Sequence, residues 1–263
     1  MKFPKKVTEH ICKWLDNYLV QSQMKGFVVG ISGGVDSAVT STLCALTGHP
    51  VLCLEMPIRQ DVNQVNRAQE HMTWLRNQFP NVTALQIPLD SVFDAFENQL
   101  PQAKNESSHL LSLANTRARL RMTTLYYFAA LHRYLVVGTG NKVEDFGVGF
   151  YTKYGDGGVD ISPIADLNKT AVFTLSKHLS IINSIQNAAP TDGLWVDNRT
   201  DEDQIGATYP ELEWAMIEHK NGSSPDTFND RQKEVFEIFT RFHKQNLHKM
   251  NPIPVCIIPE KML

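Results

Sequence analysis

Gly30-Ile31-Ser32-Gly33-Gly34-Val35-Asp36-Ser37 sets three glycines, two hydroxyls and one carboxylate directly after the apolar Phe27, Val28 and Val29. Glycines lack a Cβ, so backbone N–H groups can approach an anion closely. A helix opening at this point adds the positive end of its dipole. Ser32 and Ser37 supply hydroxyl donors. The two common phosphate loops do not fit: G-x-x-x-x-G-K-[ST] needs a lysine that is absent, and G-x-G-x-x-G needs another glycine spacing. Asp36 would repel a bare phosphate, so it implies a cation between them, with Mg²⁺ on a nucleotide the natural choice. Alone, Ser-Gly-Gly reads as a tight turn with Asp36 or Ser37 capping a helix. Strand, loop and helix together point to a nucleotide.

Such a loop needs a sheet to present it. Residues 8–22 place Ile11, Trp14, Leu15, Tyr18 and Leu19 on one helical face. A strand before the loop and a helix from Ser37 follow, then strands at 51–57, 82–89 and 134–140 and helices over 61–78 and the long apolar run 110–134. Further helical signals lie at 168–180, 209–220 and 226–246. Unbroken apolar strands alternating with helices predict an α/β fold, a Rossmann-like open parallel sheet with helices on both faces. Two segments, 140–167 and 189–208, rich in Gly, Asp and Thr, show no period and are expected to carry function. The acidic 195–208 is expected to be mobile until ligands bind.

The chain's 263 residues are enough for one α/β domain, and a net charge of -3 gives no reason to expect a nucleic-acid partner. No apolar run reaches the ~18–20 residues of a membrane span. The start lacks a signal-peptide core, so a cytoplasmic protein is expected. Cys12, Cys44, Cys53 and Cys256 are scattered and predict free thiols, with neither a zinc site nor a disulfide frame.

The loop resembles the pyrophosphate loop of the N-type ATP pyrophosphatases. Four further stretches narrow the resemblance: Ala118-Arg119-Leu120-Arg121-Met122; Gly138-Thr139-Gly140-Asn141-Lys142-Val143-Glu144; Gly149 to Asp160, running on to Lys169; and Ala189-Pro190-Thr191 with Thr200 to Gly206 and His248-Lys249. In order and spacing the chain is similar to the ammonia-dependent NAD synthetases, an adenine nucleotide alpha hydrolase-like fold. The resemblance covers nearly all of residues 1–263, and Thr152-Lys153-Tyr154-Gly155-Asp156-Gly157-Gly158-Val159-Asp160 is its most specific part.

The resemblance implies adenylation of deamido-NAD by ATP, then displacement of AMP by ammonia. It assigns Gly30 to Ser37, Thr139, Lys169 and Thr191 to ATP. Arg119, Lys153, Asp160, His248 and Lys249 go to deamido-NAD, and Asp36 and Glu144 to Mg²⁺. Asp36, Asp156 and Lys169 are the implied catalytic groups. Taken singly, Glu144 reads as a solvated loop acid and Asp156 as a turn residue. Lys169 opens a helix, where its charge opposes the dipole, and so is not there for helix stability. The stretch from Glu144 to Lys153 is a residue longer than in the shorter members. No room remains beside the sheet for the amidohydrolase domain of glutamine-dependent relatives, so free ammonia is the expected donor. A homodimer is also implied. Nicotinate mononucleotide as substrate, a tRNA-modifying pyrophosphatase and a non-catalytic nucleotide-binding regulator are the rival readings.

Overall fold

The computed structural model describes residues 1–101, 103–191 and 200–263. The chain runs α1 (Pro4–Gln21), β1 (Gly26–Gly30), α2 (Val35–Leu46), β2 (Val51–Glu55), α3 (Val62–Gln78), β3 (Val82–Gln86), α4 (Asp90–Glu97), α5 (Glu106–His132) and β4 (Tyr134–Val137). A π-helical turn (Val143–Val148) precedes α6 (Lys169–His178), α7 (Asn183–Gln186), α8 (Asp201–Ile205), α9 (Tyr209–Asn221) and α10 (Asp230–Met250).

The strands form one parallel sheet in the order β3-β2-β1-β4. Alternate side chains serve opposite faces, and here both faces are apolar. Phe27, Val29, Val51 and Cys53 pack with α1, α2, α3 and α6, while Val28, Leu52, Leu54 and Val136 meet α4 and α5. A third core joins the π-helical turn to α9 and α10 through Val143, Leu212, Val235 and Phe239. The chain order reverses at β1, which pairs with β2 on one side and β4 on the other. In open parallel sheets, ligands bind outside the carboxyl ends of the strands at such a reversal.

The parallel α/β architecture expected from the strand pattern is therefore observed. Strand ends differ: β2 stops before Met56-Pro57, and β3 and β4 are also shorter than their apolar runs. Helix α2 starts at Val35, two residues before Ser37, because Gly34 takes the extended backbone of an N-cap. On α1, only Ile11, Leu15 and Leu19 of the expected face are buried, and Trp14 and Tyr18 rest against each other outside at 5.8 Å. The segment 140–167 holds the π-helical turn, and Ile161 bridges to Val137 beside β4. Of 189–208, residues 192–199 lie outside the described residues, as does part of the expected mobile stretch 195–208. Residues 201–205 form a helix capped by Thr200.

His71 on α3 is fully buried and shares a 3.0 Å hydrogen bond with Ser41 Oγ. Burial pushes its pKa down from 6.5 to about 4. Since the unfolded chain takes up the proton first, the contribution of His71 is complete above about pH 6.5 and is lost as pH falls towards 4, at about 1.4 kcal/mol per pH unit. His71→Gln removes this linkage. The stability advantage of the wild type over the variant, from urea unfolding, is expected to shrink by about 2 kcal/mol between pH 7 and pH 5. An unchanged difference would mean that native His71 titrates as it does in the unfolded chain.

Candidate active site

The loop after β1 is braced by its own hydroxyls. Gly34 N–H donates to Ser32 Oγ at 3.2 Å, Ser32 N–H donates to Ser37 Oγ at 3.2 Å, and Ser37 O–H donates to Gly34 O at 3.0 Å. Gly33 has φ +80°, and a Cβ there would lie 2.5 Å from Gln64 O, so both conformation and space demand glycine. The loop thus faces the carboxyl edge of the sheet with its backbone held open.

Lys169 crosses from the first residue of α6 to the same spot. Its Nζ, buried, donates to Asp36 Oδ2 at 2.6 Å and to Glu144 Oε1 at 3.0 Å. Three groups that sequence places far apart are here in direct contact. Asn141, buried at the start of the π-helical turn, accepts from the N–H groups of Val143 and Glu144 and donates to Asp36 Oδ1 at 3.2 Å. Tyr209 O–H donates to Glu144 Oε1 at 2.5 Å and lies 3.1 Å from Asp201 Oδ2.

Protonation follows from these contacts. Burial works to lower the Lys169 pKa, but Asp36 and Glu144 override it and hold the ammonium above its ordinary range. Burial raises Asp36, Lys169 partly offsets this, and the charge of Glu144 adds to the rise. Glu144 is held below its usual value although burial opposes this, since Lys169 and Tyr209 both favour its charged form. Burial and Glu144 drive the Tyr209 hydroxyl far up, so it serves as a donor.

A cavity of about 680 Å³ opens above this cluster. Gly30, Ile31, Ser32, Gly34, Asp36 and Ser37 line it. Thr139, Glu144, Asp156, Lys169, Thr191 and Lys249 line it as well. Gly33 and Val35 shape the loop from behind. Asp156, an exposed residue in the cavity wall, accepts from Thr152 N–H through Oδ1 at 2.9 Å. Desolvation of its carboxyl, more than two backbone hydrogen bonds can offset, pushes it up to about 6. Next to Glu144, Asp145 also faces the cavity and is pushed up to about 8 by burial and by Glu144, Asp156 and Asp36.

The residues assigned to deamido-NAD divide. Lys249 reaches the cavity and donates to Gly149 O and Tyr151 O at 2.9 and 2.8 Å. Arg119, Lys153 and His248 form a string outside the cavity lining: Arg119 donates to Lys153 O, and Lys153 Nζ donates to His248 O at 2.6 Å. Asp160 has both oxygens engaged, by Tyr126 O–H at 2.9 Å and Val136 N–H at 2.8 Å.

Sequence reasoning passed over Asn141, Asp145, Asp201 and Tyr209, and a polar group on the opposite cavity wall. There, Arg121 donates to Met56 O at 2.9 Å and to Gln60 Oε1 at 2.7 Å, Gln60 Nε2 donates to Gln64 Oε1, and Glu55 is buried at the end of β2. Asn141 was within a quoted motif and Arg121 two residues past Arg119 on the same helix. Asp201 lies in the Thr200 to Gly206 stretch, and Tyr209 carried no local signal.

Asp36 and Glu144 offer hard oxygen donors. No cluster of three or more His, Cys, Asp or Glu suited to a metal is found among the described residues. Two carboxylates with room beside a phosphate loop fit Mg²⁺, which commonly takes one or two protein carboxylates and completes its shell with phosphate and water.

Comparison with known proteins gives the family. The family model for NAD synthase matches residues 7–253. The NH(3)-dependent NAD(+) synthetase of Carboxydothermus hydrogenoformans is 34% identical over 248 residues, 92% of this chain and 93% of that protein. That of Methanosarcina mazei is 37% identical over 239 residues, 88% and 90% of the two chains. Among solved structures, the NMN synthetase from Francisella tularensis superposes with a TM-score of 0.82 at 31% identity, covering 98% of both chains. The NH3-dependent NAD synthetase from Campylobacter jejuni gives 0.77 at 26% identity, covering 97% of this chain and 99% of its own. The chain belongs to the NAD synthase family.

Proposed function

We propose that the chain is an ammonia-dependent NAD synthetase. It uses ATP to convert the nicotinate carboxylate of deamido-NAD into the amide of NAD, releasing AMP and pyrophosphate. The observation that carries this reading is the convergence of Asp36, Glu144 and Lys169 beneath a phosphate loop, in one cavity with Asp156. A carboxylate oxygen of the substrate attacks the α-phosphorus of ATP, the bond to the β-phosphate oxygen breaks and pyrophosphate leaves. Ammonia then attacks the carbonyl carbon and AMP leaves with the electron pair.

The chain's part is chiefly positioning and charge. Backbone N–H groups and hydroxyls of Gly30 to Ser37, with Thr139 and Thr191, would hold ATP. Lys169 would neutralise its phosphates. Asp36 and Glu144 would hold Mg²⁺, which supplies charge neutralisation on the phosphates when bound. Asp156, an acceptor open to the cavity, would take ammonium and receive its proton. Arg119, Lys153, Asp160, His248 and Lys249 are proposed for deamido-NAD. The exposed Leu110, Leu111, Tyr127 and Leu131 on α5 support a homodimer that covers them. No helix among the described residues is long and apolar enough to cross a membrane, and the cytosol is the proposed compartment.

Amidation of nicotinate mononucleotide is a second reading. The similarity to the Francisella tularensis NMN synthetase favours it, as does the position of Arg119, Lys153 and His248 outside the cavity lining. Deamido-NAD carries an adenosine half whose remote binding energy can raise the rate as well as the affinity. Competition at saturating ATP and ammonium is expected to favour deamido-NAD by at least tenfold in kcat/KM, about 1.4 kcal/mol. Preference for the mononucleotide would instead establish the second reading.

Two variants test the groups. Asp36→Asn is expected to lower pyrophosphate release at least ~100-fold, a loss typical of a charge aimed at a transition state, while the protein stays folded by circular dichroism. Near-normal turnover would remove Asp36 from the reaction. With Asp156 ionised only above about pH 6, kcat/KM for ammonium should steepen by one further power of ten per unit below that pH. Asp156→Asn should lose that added limb, and a variant keeping it would place the titration elsewhere.

A further inference from the structure

One stripe of α10 changes character along its length. Val235, Phe239, His243, Asn246 and Lys249 succeed one another at helical steps of four or three. Val235 and Phe239 are buried in the third core, whereas the next three donate to main-chain carbonyls of the segment leaving the π-helical turn. His243 Nδ1 lies 2.7 Å from Gly147 O, and since a carbonyl only accepts, this nitrogen carries a proton. Asn246 Nδ2 donates to Val148 O at 2.9 Å. Lys249 Nζ donates to Gly149 O and Tyr151 O at 2.9 and 2.8 Å. A helical turn leaves its last carbonyls without N–H partners, and here α10 serves them with side chains in chain order.

The segment so held has little conformational preference of its own. Gly147 and Gly149 lack a Cβ, and Gly149 takes φ +66°. A Cβ on Gly149 would collide with that of Asn246, so α10 rests directly on the main chain. Both ends of the segment are tied to site carboxylates. Phe150 N–H donates to Glu144 O at 2.9 Å, and Thr152 N–H donates to Asp156 Oδ1 at 2.9 Å. The placement of residues 147–151 therefore sets the spacing between Glu144, which is bound to Lys169, and Asp156. We propose that His243 and Asn246 are positioning residues for the reaction. They fix this segment and so hold the phosphate end of the site at a set distance from the carboxylate that receives ammonium. Asn246 stands in the cavity wall, but His243 is outside the lining and acts only through the main chain. The inference rests on the reading of Glu144 as a holder of Mg²⁺ and Asp156 as the acceptor for ammonium.

Three variants test it. His243→Leu and Asn246→Leu keep bulk and remove a donor, while His243→Asn can place its Nδ2 where the ring Nδ1 stood. Misplacing a reacting group by about 1 Å can cost on the order of 100-fold. Each leucine variant is therefore expected to lower kcat at least about tenfold and to raise the half-saturating Mg²⁺ and ammonium concentrations together. ATP binding without metal, by calorimetry, should be unchanged, because Ser32 to Ser37 are not touched. In metal-free protein the Phe150 and Thr152 amides should exchange at least about tenfold faster. His243→Asn should restore kcat and exchange protection towards the wild type. Normal kcat in a folded leucine variant overturns the proposal for that residue, as does His243→Asn performing no better than His243→Leu. If His243→Leu does not fold, Asn246→Leu decides by the same measurements. If the wild type amidates neither pyridine substrate, the functional reading fails separately. Positioning is then decided by the exchange rates and by how far Mg²⁺ tightens ATP binding: less tightening in the variants supports it, and equal tightening overturns it.

Discussion

A single buried ammonium organises the site. Lys169 Nζ lies within 3.0 Å of two carboxylates that leave the sheet after different strands, Asp36 beyond β1 and Glu144 beyond β4. Removing three charges from water is costly, and such a cluster persists only where the geometry is good and the remaining lone pairs are met. Asn141 and Tyr209 meet them, and each arrives from a separate element. The contact therefore ties the phosphate loop, the π-helical turn, α6 and α9 together across the reversal point of the sheet. Taking away one member leaves an uncompensated buried charge, typically about 3–5 kcal/mol. In the proposed reaction the same strain is useful, since carboxylates crowded around one ammonium accept a divalent cation readily once phosphates offer Lys169 another partner.

The π-helical turn explains how Glu144 reaches that contact. The turn spans Val143–Val148 and carries Glu144 to Lys169 Nζ at 3.0 Å. Its neighbour Asp145 is turned against Gly140, where a Cβ would lie 2.1 Å from the carboxyl, so the Gly-Thr-Gly before the turn is required by space. Gly149 ends the turn at φ +66° and packs under Asn246 of α10.

The sheet and its phosphate loop were legible because their signals are local. Apolar runs of about five residues name parallel strands, and Ser32 to Ser37 carry their chemistry within six positions. The misplaced start of α2 has a local cause too, since Gly34 caps the helix through its backbone conformation and without a side chain. Tyr209 was not legible: it is the first residue of an ordinary capped helix until α9 packs against the π-helical turn and aims its hydroxyl at Glu144, 65 positions away. Arg119, Lys153, Asp160 and His248 were named by resemblance alone, and in the single chain their polar atoms bond to neighbouring protein groups.

The charge balance of the cavity limits what can enter it. Asp36, Glu144, Asp145 and Asp156 face one space with Lys169 and Lys249 as the nearby lysines. The rise of Asp156 to about 6 and of Asp145 to about 8 expresses the same crowding, burial compounded by neighbouring carboxylates. A bare triphosphate would meet these acids with its own negative charge and raise them further. A triphosphate that carries a divalent cation reverses the sign, because the cation lowers each of the carboxylates it approaches. In the proposed reaction the acids would therefore favour a metal-bound nucleotide, and the aspartate that looks out of place in a phosphate loop would be part of that preference.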